Sequence, residues 1–364
     1  MNAPRLEIDL GKIQHNAHTL VERLARRDIS VTGVTKATLG STEIAQTMLL
    51  AGVSGLGDSR IQNIEAMRSS HLSARLSMLR SPMLSQARRV VASAAVSYNT
   101  ELEVIRRLSL EAGKLGRKHA VVLMVELGDL REGLMPDDLV AAVRETLNLP
   151  NIVFKGLGTN LACRSGVSPD DANMGELSRL TAFIEATFDI SIEVVSGGNS
   201  ANLAWAFSSE HTGRINNLRL GESILLGREA LHRNVIDGLH TDAITLVAEV
   251  IESKLKPTKP SGMLAQNAFG ERPDSVDRGT VAQAILAVGV QDVDLGGLQP
   301  SDGIEILGGS SDHLVVLPSV GKLAIGAEVT FQLDYSALLR AMTSPFVGKS
   351  YKFAGNVSRF RQIA

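Results

Sequence analysis

Eight short apolar runs recur through the first two thirds of this chain, and a segment with helical periodicity stands between most of them. The runs are ISVTGVTK (29–36), VSGLGD (53–58), LSMLRSP (76–82), VSYN (96–99), AVVLMVELGD (120–129), FKGLGTN (154–160), IEVVSGG (192–198) and NLRLGESILLG (217–227). STEIAQTMLLAG (41–52) and MPDDLVAAVRETLN (135–148) are two of the intervening helical patterns. Ahead of the first run, Ile13, Ala17, Leu20, Val21 and Leu24 share one face at a period of 3.6. Parallel strands cannot be joined by a tight turn, and segments of this length suit the crossovers they need. Eight such units in roughly 220 residues predict a TIM (β/α)8 barrel, whose chemistry sits where the strands end. An open doubly wound sheet is the competing architecture, but the chain has no single Gly-rich dinucleotide fingerprint with its acidic follower.

After His232 the pattern changes to strand-like runs joined by loops: ITLVAEVIES, TVAQAILAVG, GIEILGG, HLVVL and AEVTFQLD, with no long helix until about Ser336. These predict a barrel over residues 1–231 and a mostly-β C-terminal domain over 232–364. The opening PRLEIDL (4–10) precedes the first barrel helix and is able to pair with the β-domain sheet, although nothing in the sequence requires it. KPTKPSGMLAQNAFGERPDSVDRG (256–279) lacks periodicity and reads as a long loop of the kind that often lines a site. A length of 364 residues and 44% hydrophobic content suffice for two buried cores. A net charge of −2 argues against nucleic-acid or acidic-membrane partners, which need a basic excess. The single cysteine, Cys163, cannot form an internal disulfide, and the N-terminus lacks a signal-peptide layout. No uncharged apolar run reaches the roughly 18 residues of a membrane span, so a soluble, cytoplasmic protein is expected.

Lys36 closes the first barrel run, on the same strand face as Val34 and Thr32. It is either a lysine leaving the rim for water or a partly desolvated, nucleophilic lysine able to form an imine. Two later strand ends bear on the choice. SGGNSANLAWA (196–206) offers backbone N–H groups, the Ser200 hydroxyl and small residues. RLGES (219–223) ends the eighth run, and phosphate sites in such barrels usually come from the loops after strands seven and eight. Together with the lysine they suggest a phosphate-bearing aldehyde cofactor, pyridoxal 5'-phosphate.

Several stretches then carry a family resemblance: PRLEIDLGKIQHN at the start, GVTKATLG around Lys36, GDSRIQNI (57–64), GTNLAC (158–163), NSAN (199–202), RLGE (219–222), QDVD (291–294), GGSSDHL (308–314) and LDYSALLRAM (333–342). In these the chain resembles the alanine racemase-like, fold-type III pyridoxal-phosphate enzymes, most closely their ornithine racemase branch. The resemblance implies that Lys36 carries the cofactor as an imine and then serves as one base. It implies that Ser200, with Asn199 beside it, and the backbone at Gly221 and Glu222 hold the phosphate, joined by Tyr335 from the second domain. Asn160 stands where alanine racemases place a histidine near the cofactor ring. Arg219 matches an arginine that donates to the pyridine nitrogen. Because arginine does not give up its proton, the ring stays a weaker electron sink, favouring reprotonation at Cα over transamination. Arg131 matches an arginine near the cofactor's phenolic oxygen or the substrate carboxylate; a surface ion pair with Asp129 or Glu132 is the alternative.

Racemisation needs acid–base groups on both faces of Cα. Alanine racemases supply the second from a partner-subunit tyrosine in a Gly-Tyr-x-Asp-Gly context, but here the matching segment reads AVGVQDVD, with Val290 at that point. His313, next to Asp312, is the favoured replacement and Asp292 the runner-up. Alternation along a strand would point Asp312 and His313 apart. The resemblance further implies a homodimer in which the β-domain of one subunit completes the barrel mouth of the other. The expected activity is racemisation of a small or basic amino acid such as ornithine, lysine, alanine or serine. Glu222, Asp129, Asp274 and Asp292 are all eligible to hold a distal ammonium. The rivals are a D-amino-acid aldolase or dehydratase, which typically needs a divalent metal, and a non-catalytic pyridoxal-phosphate protein. No compact His/Cys ligand cluster near the C-terminus supports the former, and no metal is expected.

Overall fold

The computed structural model describes residues 2–270 and 276–353. The chain divides into two compact units, one running from Leu10 to Thr241 and the other joining the residues up to Asp9 with those from Asp242 onward.

In the first unit, strands β2 (Ser30–Val34), β3 (Gly55–Asp58), β4 (Leu76–Met78), β5 (Val96–Asn99), β6 (His119–Met124), β7 (Ile152–Gly158), β8 (Val194–Gly198) and β9 (Asn217–Leu220) close into a parallel barrel. The numbering leaves β1 (Arg5–Asp9) for the other unit. The seam is the pairing of β9 with β2, which sets Thr32 against Arg219. Helix α1 (Leu10–Ala25) precedes the barrel. The crossovers are α2 (Thr42–Leu50), α3 (Ile61–Ser69), α4 (Ala87–Ser93), α5 (Leu102–Lys114), α6 (Leu139–Asn148), α7 (Asp171–Phe188) and α8 (Leu203–Ser208), and α9 (Glu222–Leu226) follows β9. On the period-3.6 face of α1, Ile13, Ala17, Leu20 and Leu24 are fully covered, while Val21 at its margin is half-buried. Tyr98, Val122 and Met124 form a buried cluster with Leu79, Val96 and Val194 against it. Near the seam, Asn217 donates to Thr32 Oγ1 (3.1 Å) and accepts from Ser196 Oγ (2.8 Å), so its amide is satisfied by polar neighbours on the adjoining strands.

The last run is shorter as a strand than its apolar content suggests. NLRL is β9, Gly221 breaks the extended backbone, and ESILL forms the short α9, stopped by Gly227 at φ 63°. Continuous burial, which both a core strand and a core helix produce, hides that switch from the sequence.

In the second unit β1 pairs antiparallel with β10 (Ile244–Pro257) and parallel with β16 (Gly348–Lys352). The remaining order is β12 (Leu298–Pro300), β15 (Glu328–Leu333), β10, β11 (Thr280–Leu286), β14 (Leu314–Pro318) and β13 (Ile304–Gly309), with α10 (Tyr335–Thr343) after β15. The short β12 and the charged, half-buried β16 carry too weak an apolar signal to be read from sequence. The first unit ends at Thr241, ten residues beyond the 231/232 division expected from the change of pattern after His232. Residues 232–241 stay with the barrel because Asn16 of α1 donates to the His240 carbonyl (2.8 Å) and accepts from its N–H (2.8 Å), while Arg23 donates to the Asp237 carbonyl (2.8 Å).

Candidate active site

β2 ends at Val34, and after Thr35 the chain winds into a single 3-10 turn over Lys36–Thr38, so Lys36 stands half-buried where the first barrel strand stops.

Across the seam, Arg219 on β9 is 6% exposed. It donates to the Thr159 carbonyl (2.7 Å), to Ser196 Oγ and, more distantly, to Asn160 Oδ1 (3.4 Å). Its guanidinium carbon lies 5.0 Å from the centre of the Tyr98 ring, within range of a cation–π interaction. Every one of these partners is uncharged. Burial therefore lowers the pKa of its guanidinium.

Asn160 Oδ1 also accepts from Asn199 Nδ2 (3.2 Å), so the amides after β7 and β8 and the arginine of β9 converge. Asn199 caps the turn 200–202 through Ala201 N (2.8 Å) and in return donates its own N–H to Asn202 Oδ1 (3.0 Å). Gly198 makes this possible: at φ 142° an added Cβ would lie 2.2 Å from Asn202 Oδ1. Ser200 Oγ lies 3.0 Å from Ser223 Oγ and accepts from Ser223 N (3.2 Å), joining the loops after β8 and β9. At Gly221 an added Cβ would lie 3.1 Å from Val34, so a side chain there would require Val34 to give way where the end of β9 approaches β2. Glu222 contributes its backbone at the start of α9, while its carboxylate pairs with Arg233.

Lys36, Asn160, Asn199, Ser200, Arg219, Gly221 and Glu222 thus lie on the barrel strands' C-terminal ends or the loops following them. Arg131 pairs with Glu132, the ion-pair alternative foreseen for it. Asp129 is engaged elsewhere: buried, it accepts from the backbone N–H groups of Cys163 (3.1 Å), Arg164 (2.9 Å) and Ser165 (3.0 Å), fastening the loop after β7. These bonds outweigh burial and hold its carboxyl below the ordinary range. Sequence reasoning assigned no individual role to Ser223 or Tyr98. Ser223 had a visible signal in RLGES, whereas nothing local marks Tyr98, whose neighbour Arg219 is far away in sequence.

In the second unit, Asp292 is 5% exposed and accepts from Ser344 Oγ (2.7 Å). Tyr335 opens α10. His313 lies in the turn between β13 and β14, and its Nδ1 is 2.7 Å from Asp312 Oδ1. The contact departs from strand alternation because the two residues belong to a turn. The same turn packs on the Val290 segment: Val290 N donates to the Ser310 carbonyl (3.0 Å), and Ser310 N to the His313 carbonyl (2.8 Å). Of the carboxylates eligible for a distal ammonium, Asp129, Glu222 and Asp292 already have these partners, and Asp274 lies outside the described residues. Among the described residues no group of three or more His, Cys, Asp or Glu could hold a metal ion. No helix among them is long and apolar enough to cross a membrane.

A closed parallel barrel with a lysine at the end of its first strand, followed by an antiparallel β unit, is the architecture of the alanine racemases. Residues 8–229 match the family model described as alanine racemase, N-terminal domain. The chain belongs to the alanine racemase family. It is 37% identical over 351 residues to an ornithine racemase of Acetoanaerobium sticklandii, covering 95% of this chain and 99% of that protein. It is 38% identical over 351 residues to a lysine racemase of Thermotoga maritima, covering 96% and 98%. Among solved structures it resembles alanine racemase from Bacillus anthracis (TM-score 0.76, 15% identity, 99% and 97% of the two chains). It resembles D-threonine aldolase from Filomicrobium marinum equally in backbone (TM-score 0.76, 17% identity, 98% and 93%). At those identities the likeness extends to the fold alone.

Proposed function

We propose that this protein is a pyridoxal-phosphate-dependent racemase of a basic amino acid, ornithine or lysine. The observation that carries the reading is the buried Arg219, whose described hydrogen-bond partners are all neutral, in a barrel whose first strand leads into the turn that begins at Lys36. The near full-length likeness to an ornithine and a lysine racemase favours a basic substrate over alanine or serine.

The donors present fit the cofactor. Ser200, Ser223 and the backbone at Gly221 and Glu222 would hold a phosphate, Asn160 and Asn199 would border the ring, and Arg219 would face the ring nitrogen. Pyridoxal phosphate, when bound, supplies the electron withdrawal that makes the Cα–H of an amino acid acidic. Lys36 anchors it and moves a proton at one face of Cα. Arg219 keeps its proton and so limits that withdrawal, which leaves reprotonation at Cα as the favoured outcome. Arg131, released from Glu132, would take the substrate carboxylate.

His313 is proposed as the acid–base group of the opposite face. Its neighbour Asp312 orients the imidazole, and its turn packs on the segment where Val290 replaces the expected tyrosine. Asp292 is less suited, being buried and bonded to Ser344. A homodimer in which the β unit of one copy serves the barrel of the other belongs to the same reading, as does a cytoplasmic location.

The test is incubation of cofactor-loaded protein with single-enantiomer amino acids in deuterium oxide, followed by chiral chromatography and mass spectrometry. Inversion of ornithine or lysine with one deuterium at Cα is expected. Retained optical purity, or loss of the side chain by cleavage at Cβ, would overturn the racemase assignment.

A further inference from the structure

GDSRIQNI, one of the stretches shared with the family, takes no part in the chemistry above, yet it buries a carboxylate. Asp58, the last residue of β3, is 0% exposed. Its described partners are all donors: Thr35 Oγ1 at 2.8 Å, the backbone N–H of Arg60 at 2.8 Å and Asn63 Nδ2 at 3.0 Å. Such a shell suits an ionised acceptor, since a protonated carboxyl would need an acceptor of its own. Burial nevertheless penalises the charge and raises the carboxyl's pKa against the pull of these donors, so stability alone is a poor reason for it.

Thr35 is the residue immediately before Lys36 and is itself 0% exposed. It occupies the N-cap of the Lys36–Thr38 turn, where a threonine hydroxyl ordinarily accepts from an N–H of that turn. Here it makes no such cap and donates to Asp58 instead. Its main chain ties the same place together. Thr35 N donates to the Gly57 carbonyl (3.0 Å), and its own carbonyl accepts from Thr38 N (2.9 Å), Thr38 Oγ1 (3.0 Å) and Gly40 N (3.2 Å).

We propose that Asp58 is a positioning residue for Lys36: by latching Thr35 to the end of β3 it fixes the direction in which the lysine leaves the barrel strand. The inference rests on Lys36 being the cofactor-bearing residue. A preset direction matters because an amine held in line with the aldehyde it must meet pays less orientational cost on reaction.

The test compares Thr35→Val, an isostere without the hydroxyl, with Thr35→Ser, which keeps it. Pyridoxal phosphate is titrated into each protein by absorbance, and the Lys36 adduct is trapped with borohydride and quantified by peptide mass spectrometry. Thr35→Val should weaken cofactor capture by about tenfold, as loss of a hydrogen bond to a charged group implies, and lower kcat more than it raises KM. Thr35→Ser should restore both to within about twofold, because the charged acceptor keeps its donor. If Thr35→Val is poorly folded, Thr35→Ala, which removes the same hydroxyl without adding a second methyl, takes its place, with weaker capture again expected. Lowered thermal stability with unchanged capture and kcat in the soluble variant would overturn the latch. Failure of the native protein to yield a Lys36 adduct would instead overturn the cofactor assignment.

Discussion

The guanidinium of Arg219 lies 5.0 Å from the centre of the Tyr98 ring, so a cation on the last barrel strand is faced by an aromatic ring from the fourth. The ring supports the charge without an acid's proton or countercharge. Tyr98 is only 4% exposed, and its replacement should register first as lost packing. Tyr98→Leu is expected to destabilise the protein by about 2–4 kcal/mol in urea unfolding, and Tyr98→Phe by less than about 1 kcal/mol, because the ring face is kept.

Lys36→Ala should abolish borohydride-trappable cofactor and reduce racemisation by about a thousandfold or more, since anchor and base are lost together. Circular dichroism of the apoprotein should be unchanged, because the half-buried Lys36 side chain is not part of the core.

His313→Asn should leave the Lys36 adduct intact and lower racemisation by about a hundredfold or more, the usual contribution of a positioned acid–base group. Deuterium wash-in at Cα without inversion, catalysed from the Lys36 face alone, would be its signature. Asp312→Asn should act in the same direction more weakly, having lost only the carboxylate beside the imidazole.

Gly198→Ala should weaken both stability and phosphate affinity. The backbone stands at φ 142°, and the new methyl would meet Asn202 Oδ1 at 2.2 Å, breaking the reciprocal cap that shapes the Ser200 turn. A loss of roughly 2–4 kcal/mol in thermal or urea unfolding is expected.

His119, 2% exposed on β6 with Nε2 2.8 Å from Ser97 Oγ, sets a pH dependence. Burial lowers its pKa from 6.5 to about 4, with the Arg117 charge adding to the effect. The unfolded chain therefore binds the proton first as pH falls. The stabilising contribution is complete above about pH 6.5 and is lost progressively toward pH 4, amounting to about 3 kcal/mol across that window. Urea unfolding of His119→Gln should show a shallower fall in stability over the same range than the native protein.

Local periodicity determined the eight βα units, the face of α1 and the change to β structure, because helix and strand place apolar side chains at different repeats. It placed Lys36, Ser200 and Arg219 at strand ends for the same reason. Periodicity left the register and the long-range closures undecided. It missed β12 and β16, read the helix Glu222–Leu226 as strand and put the domain boundary before residues that Asn16 and Arg23 hold to the barrel. Barrel closure alone set Thr32 against Arg219, brought Tyr98 beneath that guanidinium, joined Ser223 to Ser200 and locked Asp58 onto Thr35. Each of those relations joins residues 23 or more positions apart. Such contacts depend on how strands tilt and pair around the barrel, a property of the closed sheet that no stretch of sequence carries by itself.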